Sequence, residues 1–186
     1  MRYFLLAASV FLLSCAPSMV QFYPDDYYPE DGIYENKPLR FIFTFSGNWQ
    51  IETDPEKMDR SSRAFAGELQ KSGVELLFIG STVEGFHGTR GIAINLNEPA
   101  REYAEYIRRL NQKDIDQDQG LTDFFAGDNP MVKWVYDKSG FRFVEFFFNI
   151  GTYDIRVSFW TKPDLFEKFL PVYEQIISTL RVTRGL

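Results

Sequence analysis

Residues 141–150 (FRFVEFFFNI) constrain the fold more than any other stretch of this chain. Successive side chains of a strand point to opposite faces, so Phe141, Phe143 and Phe147 lie on one side and Val144, Phe146 and Phe148 on the other. A strand that is apolar on both faces must be covered on both faces. Short turns at Asp137–Gly140 and Gly151-Thr152 join it to Met131–Tyr136 before it and Tyr153–Trp160 after it, which predicts an antiparallel meander. The expected fold is therefore α+β, a mainly antiparallel sheet between helix layers.

The remaining segments supply that cover. Leu39–Phe45 and Trp49–Glu52 read as strands around a Ser46-Gly47-Asn48 turn. Asp59 or Ser61 is placed to cap a helix that runs to about Ser72 and stops at Gly73. Val74–Ile79 is an apolar strand, Gly80–Gly91 a link with four glycines, and Ile92–Leu96 another strand. Pro99 opens a helix whose apolar positions are Tyr103, Tyr106, Ile107 and Leu110. A polar loop with a short helical turn at Leu121–Phe125 precedes the meander. After it, Pro163 starts a helix to about Thr179, apolar at Leu165, Phe166, Phe169, Val172, Ile176, Ile177 and Leu180, which Pro171 is expected to kink or split.

This element order, with Gly47-Asn48-Trp49-Gln50-Ile51 after the first strand and Phe166–Leu180 leading to Arg181-Val182, resembles the PsbP-like family over most of residues 39–183. The resemblance implies an α/β/α sandwich and an accessory or binding role, generally without catalysis. Its members bind unrelated partners through different surfaces, so it implies no functional residue here.

The N-terminus reads as an export signal: Arg2, a ten-residue apolar run from Phe4 to Leu13, and small Ser14 before Cys15. Ten residues fall short of the about 20 needed to span a bilayer. Leu12-Leu13-Ser14-Cys15 resembles the bacterial lipobox, with Leu13 bulkier than the usual small residue. That resemblance implies lipidation of Cys15, the only cysteine, whose acyl chains would hold the protein in the membrane lipid. Ala16, in place of a retention Asp, favours an outer membrane where the source has two. An ordinary secretory signal with an incidental thiol is the alternative. The expected division is a signal peptide over 1–14, lipidated Cys15 with an acidic and aromatic tether over 15–37, and one domain over 38–186. Within the tether, Tyr27 and Tyr28 belong to an acidic-tyrosine cluster that is either solvated or a docking strip.

Composition excludes several chemistries. One His and one Cys leave no set of residues for a Cys/His zinc site, an iron–sulfur cluster or a Cys–His catalytic pair. A formal charge of −6, from 20 Lys+Arg against 26 Asp+Glu, opposes nucleic-acid binding. Asp114-x-Asp116-x-Asp118-Gln119-Gly120 has alternating oxygen ligands, but Gln119 and Phe125 stand where a calcium-binding EF-hand needs Gly and Glu, so a solvated acidic loop is expected. Gly85–Gly91 lacks both a dinucleotide fingerprint and a Walker lysine. His87 within it is expected at the surface. No nucleophile elbow and no distinct carboxylate pair is present, and no metal or cofactor is expected.

Trp160 ends its strand on the face shared by Asp154, Arg156 and Ser158. Packing under the last helix is the expected role; exposed beside Arg156 it would instead anchor a ligand or partner. The expected function is that of a membrane-anchored, extracytoplasmic, non-enzymatic accessory lipoprotein that binds a protein partner in the cell envelope. A small-ligand or lipid-binding lipoprotein is the alternative.

Overall fold

The computed structural model describes residues 26–183; the expected signal peptide over 1–14, Cys15 and the expected tether up to residue 25 lie outside them. In chain order the elements are β1 (Asp26–Tyr28), β2 (Ile33–Asn36), β3 (Phe41–Thr44), β4 (Trp49–Glu52), α1 (Arg60–Lys71), β5 (Val74–Thr82), β6 (Gly88–Ile94), α2 (Ala100–Asn111), β7 (Gln117–Ala126), β8 (Asn129–Lys138), β9 (Phe141–Ile150), β10 (Tyr153–Thr161), α3 (Pro163–Ser178) and β11 (Arg181–Val182). The strands form a seven-stranded sheet, ordered β4-β5-β6-β10-β9-β8-β7, and a four-stranded sheet, ordered β1-β2-β3-β11. Every pairing is antiparallel.

The expected meander is the centre of the larger sheet, and β9 is covered on both faces. On one face Phe148 meets Phe41 and Phe43 of the small sheet at 6.4 and 6.0 Å, and the neighbouring Phe159 stacks on Tyr173 of α3 at 4.9 Å. On the other, Phe147 meets Tyr103 of α2 at 5.5 Å, while α1 lays Ala66 and Phe65 over Leu76 and Ile92. Helices alone were expected as cover; one face is in fact shared between α3 and a second sheet.

That second sheet corrects the tether. Asp26–Tyr28 and Ile33–Asn36 are strands, so the domain reaches back at least to Asp26 and does not begin at 38. Tyr34 is fully buried against Phe41 and Phe78. The segment reads as solvated because its outward positions, Asp26, Tyr28 and Glu35, are polar and hydrogen-bond one another. Gly32, at φ +65°, makes the turn; a Cβ there would strike the backbone of Phe45.

Three further expectations change. Leu121–Phe125 is part of strand β7, not a helical turn: Leu121 and Phe124 are spaced as on a helix, but each pairs with β8, and a bulge between Asp118 and Leu121 shifts the register. The four-glycine link shrinks to a turn over residues 83–87, because Gly80, Gly88 and Gly91 are strand residues whose facing groups leave no room for a Cβ. Pro171 does not split α3, which runs unbroken from Pro163 to Ser178. Pro171 and Glu167, whose carbonyl loses its bond, are both exposed, so water can satisfy that carbonyl.

Candidate functional site at the hairpin end of the sheet

Four segments far apart in sequence meet at one end of the large sheet: the β3–β4 turn, the β5–β6 turn, the end of β10 and the middle of α3. Hydrogen bonds tie them together. The Val83 amide donates to the Asn48 carbonyl at 3.0 Å, and the Thr161 hydroxyl donates to the Phe86 carbonyl at 2.8 Å. His87 sits at the junction and is buried, at 7% exposure, which overturns the expected surface position. Its Nδ1 lies 2.6 Å from the Tyr173 hydroxyl and its ring 4.1 Å from the Phe169 ring. The turn is exposed, but this one residue folds inward because Tyr173 offers a hydrogen-bond partner inside the apolar layer. Burial pushes the His87 pKa below its ordinary value, with Glu84 opposing, and burial raises that of the Tyr173 phenol. The pair is therefore neutral at pH 7, one partner donating and the other accepting according to the imidazole tautomer.

A recess opens on each side of Phe86 and His87. One, of about 540 Å³, is walled by Trp49, Phe169, Val172 and Tyr173 and floored by the Ser46–Asn48 turn. The other, of about 640 Å³, lies on the α1 face and is bounded by Trp160, Phe141, Gln50, Ser81 and Lys57. At the rim Val83 and Phe86 are 63% and 59% exposed. The carboxylates near the second recess have structural work: Asp59 caps α1 by accepting the Ser61 and Ser62 amides at 2.7 and 3.1 Å, and Glu52 accepts the Asp54 amide at 2.9 Å.

The singled-out residues do not converge. Trp160 is half-buried and lines the second recess, on the face opposite α3, so it does not pack under the last helix. Arg156 shares its face, as alternation required, but is no surface anchor: at 13% side-chain exposure it lies 3.6 Å from the fully buried Glu145. Arg90 is 3.8 Å from the same carboxylate, and its guanidinium lies between the rings of Phe65 and Trp160. The Tyr27 hydroxyl donates to the Trp49 carbonyl behind the first recess, and Tyr28 is exposed on the outer strand of the small sheet. Trp49, Phe86, His87 and Tyr173 carried no signal in their spacing; only the register brings them together.

The acidic run is dismantled by its own partners. Asp114 pairs with Lys138, Asp116 accepts the Ser139 amide, and Asp118 holds Arg108 and the Trp134 indole. Among the described residues no group of three His, Cys, Asp or Glu is placed to hold a metal ion.

No protein-family model and no curated protein matches the sequence. Solved structures do match. The solution structure of cyanobacterial PsbP (CyanoP) from Synechocystis sp. PCC 6803 aligns over 81% of this chain and 91% of its own, with a TM-score of 0.57 and 10% identity. The fold is PsbP-like. A crystal structure from Bacteroides thetaiotaomicron aligns at a TM-score of 0.44 and 14% identity, over 78% of this chain and 46% of its own, too loosely to add to that. At such identities the PsbP-like domain is a statement of architecture, and function must come from the site.

Proposed function

We propose that this PsbP-like domain is the extracytoplasmic part of a lipoprotein anchored through Cys15, and that it serves as a non-enzymatic accessory module binding a protein partner in the cell envelope. The observation that carries the reading is the hairpin turn itself. Val83 and Phe86 stand 63% and 59% exposed beside an aromatic-walled recess, the arrangement of an apolar anchor next to a pocket.

Topology supports the orientation. Asp26 is level with Glu35, and Glu35 with Ile42, so β1 runs alongside β3 in the same direction, and both run towards the Ser46–Asn48 turn. The chain therefore enters from the end away from the recesses. Ten residues separate Cys15 from Asp26, so β1 would begin within about 40 Å of the anchored cysteine.

A second reading, a small apolar ligand or acyl chain in the same recess, is favoured by its volume of about 540 Å³, which lies within the range of small-molecule sites. A photo-crosslinking residue in place of Phe86, activated in intact cells and followed by mass spectrometry, distinguishes the two. Recovery of one discrete envelope protein is expected. No protein adduct, with a small molecule co-purifying, would overturn the partner reading in favour of the second.

A further inference from the structure

The second recess has a different chemistry from the first, and its floor can be read from the strand register. One row of directly paired residues crosses five strands on the α1 face: Gln50, Ser81, Gly88, Trp160 and Phe143. Paired neighbours on adjacent strands share a face and sit about 5 Å apart. The row thus passes from two hydrogen-bonding side chains, over a bare glycine, to two aromatic rings. The bare position is required: a Cβ on Gly88 would overlap the indole of Trp160, whose Nε1, Cε2 and Cζ2 atoms lie over it. The indole is braced from behind by Phe143 at 5.8 Å and by the Arg90 guanidinium at 5.9 Å. Arg90 is itself held by the buried Glu145.

We infer that this recess is a saccharide-binding site for one or two sugar rings, with Trp160 as the stacking platform and Gln50 and Ser81 as hydroxyl partners. A pyranose has an apolar C–H face and a rim of hydroxyls, and this row offers an aromatic plane beside amide and hydroxyl groups in matching order. A purely apolar ligand would cover Gln50 and Ser81 without satisfying them. A strongly charged ligand gains little, because Lys57 and the carboxylates of Glu52 and Asp59 line the same recess and oppose each other. The volume of about 640 Å³ lies in the range of small-molecule sites. Phe86 borders both recesses, but the sugar test reads Trp160 and Gln50 while the partner test reads a crosslink at position 86, so the two readings fail separately.

The test is a titration of the full chain in detergent micelles with cellobiose, maltose and N,N′-diacetylchitobiose, each to about 10 mM, well above the millimolar affinity a small ligand commands. The readout is the indole N–H resonances of Trp49, Trp134 and Trp160, assigned by single Trp→Phe substitutions. At least one disaccharide is expected to shift the Trp160 resonance saturably and leave Trp134, buried under α2, unmoved. Gln50→Ala, on an exposed side chain, is expected to weaken that binding several-fold without changing the melting temperature, and Trp160→Ala to abolish it. Absence of a saturable shift with all three sugars overturns the inference. So does a shift confined to Trp49, or unchanged affinity in Gln50→Ala, a variant that does not share the folding risk of Trp160→Ala.

Discussion

Replacing Glu145 by glutamine should destabilise the protein by about 3–5 kcal/mol, the range for removing one partner of a buried ion pair. Glu145 is fully buried, with Oε1 3.8 Å from Arg90 and Oε2 3.6 Å from Arg156. At an effective dielectric constant near 20 each attraction is about 4–5 kcal/mol. In the native protein much of that is offset by desolvation of the three charges, so the cluster adds little net stability while intact. Glutamine keeps the volume and can still accept from the Ser158 hydroxyl, at 2.8 Å, and the Tyr136 hydroxyl, at 3.3 Å. What it removes is the charge, leaving two guanidinium groups without a counter-ion. Arg90, at 25% side-chain exposure, recovers some hydration, whereas Arg156, at 13%, recovers little, which places the expected loss near the lower end of the range. For a chain of this size each kcal/mol lowers the melting temperature by about 2–4 °C, so a drop of about 6–20 °C is expected, nearer the lower figure. Urea unfolding, read with an unchanged m-value, measures the free energy directly. Glu145→Gln combined with Arg156→Met should recover part of the loss, because the second change removes the orphaned charge. A single-mutant loss under about 1 kcal/mol would show that water reaches the cluster and that the burial argument is wrong.

Cys15→Ala should move the protein from the membrane to the soluble fraction on cell fractionation; an unchanged membrane fraction defeats the anchor. Two glycines should respond to alanine with opposite signs. Gly88→Ala drives a methyl into the Trp160 indole and should cost about 1–3 kcal/mol, whereas Gly67→Ala, inside α1 with nothing within 4 Å of the new Cβ, should gain about 0.5–1 kcal/mol in thermal unfolding. If both shift the same way, the close approach at Gly88 is not real. His87 is held neutral by burial with a pKa below its unfolded value of about 6.5, so the unfolded chain takes up the proton first. Its contribution is fully present above that unfolded value and is lost as pH falls through it towards the lower folded one. The urea midpoint should therefore fall on acidification below about pH 6.5, and His87→Gln should flatten that part of the profile. An identical profile in the variant refutes the buried-histidine assignment.

Much of the fold was legible in the chain because it is written in local periods. The two-faced pattern of residues 141–150 required cover on both sides, Asp59 is the N-cap of α1, Gly73 follows its end, and Pro163 opens α3. Strict alternation even placed Trp160 and Arg156 on the correct face of β10. What alternation does not carry is the identity of whatever lies opposite. Residues 26–36 read as a tether until Tyr34 meets Phe41 and Phe78. Gly88 reads as loop until the Trp160 ring lies across it, and the lone histidine reads as surface until Tyr173 supplies its partner. Burial of Arg156 follows from Glu145, one strand away in space and eleven residues back in sequence. The sequence by itself therefore determined most elements from β3 onward and set the expectation, at Cys15, of export and lipidation. Only the tertiary structure decided where the recesses lie, since their walls come from strand register and helix packing, which act between residues that no local pattern connects.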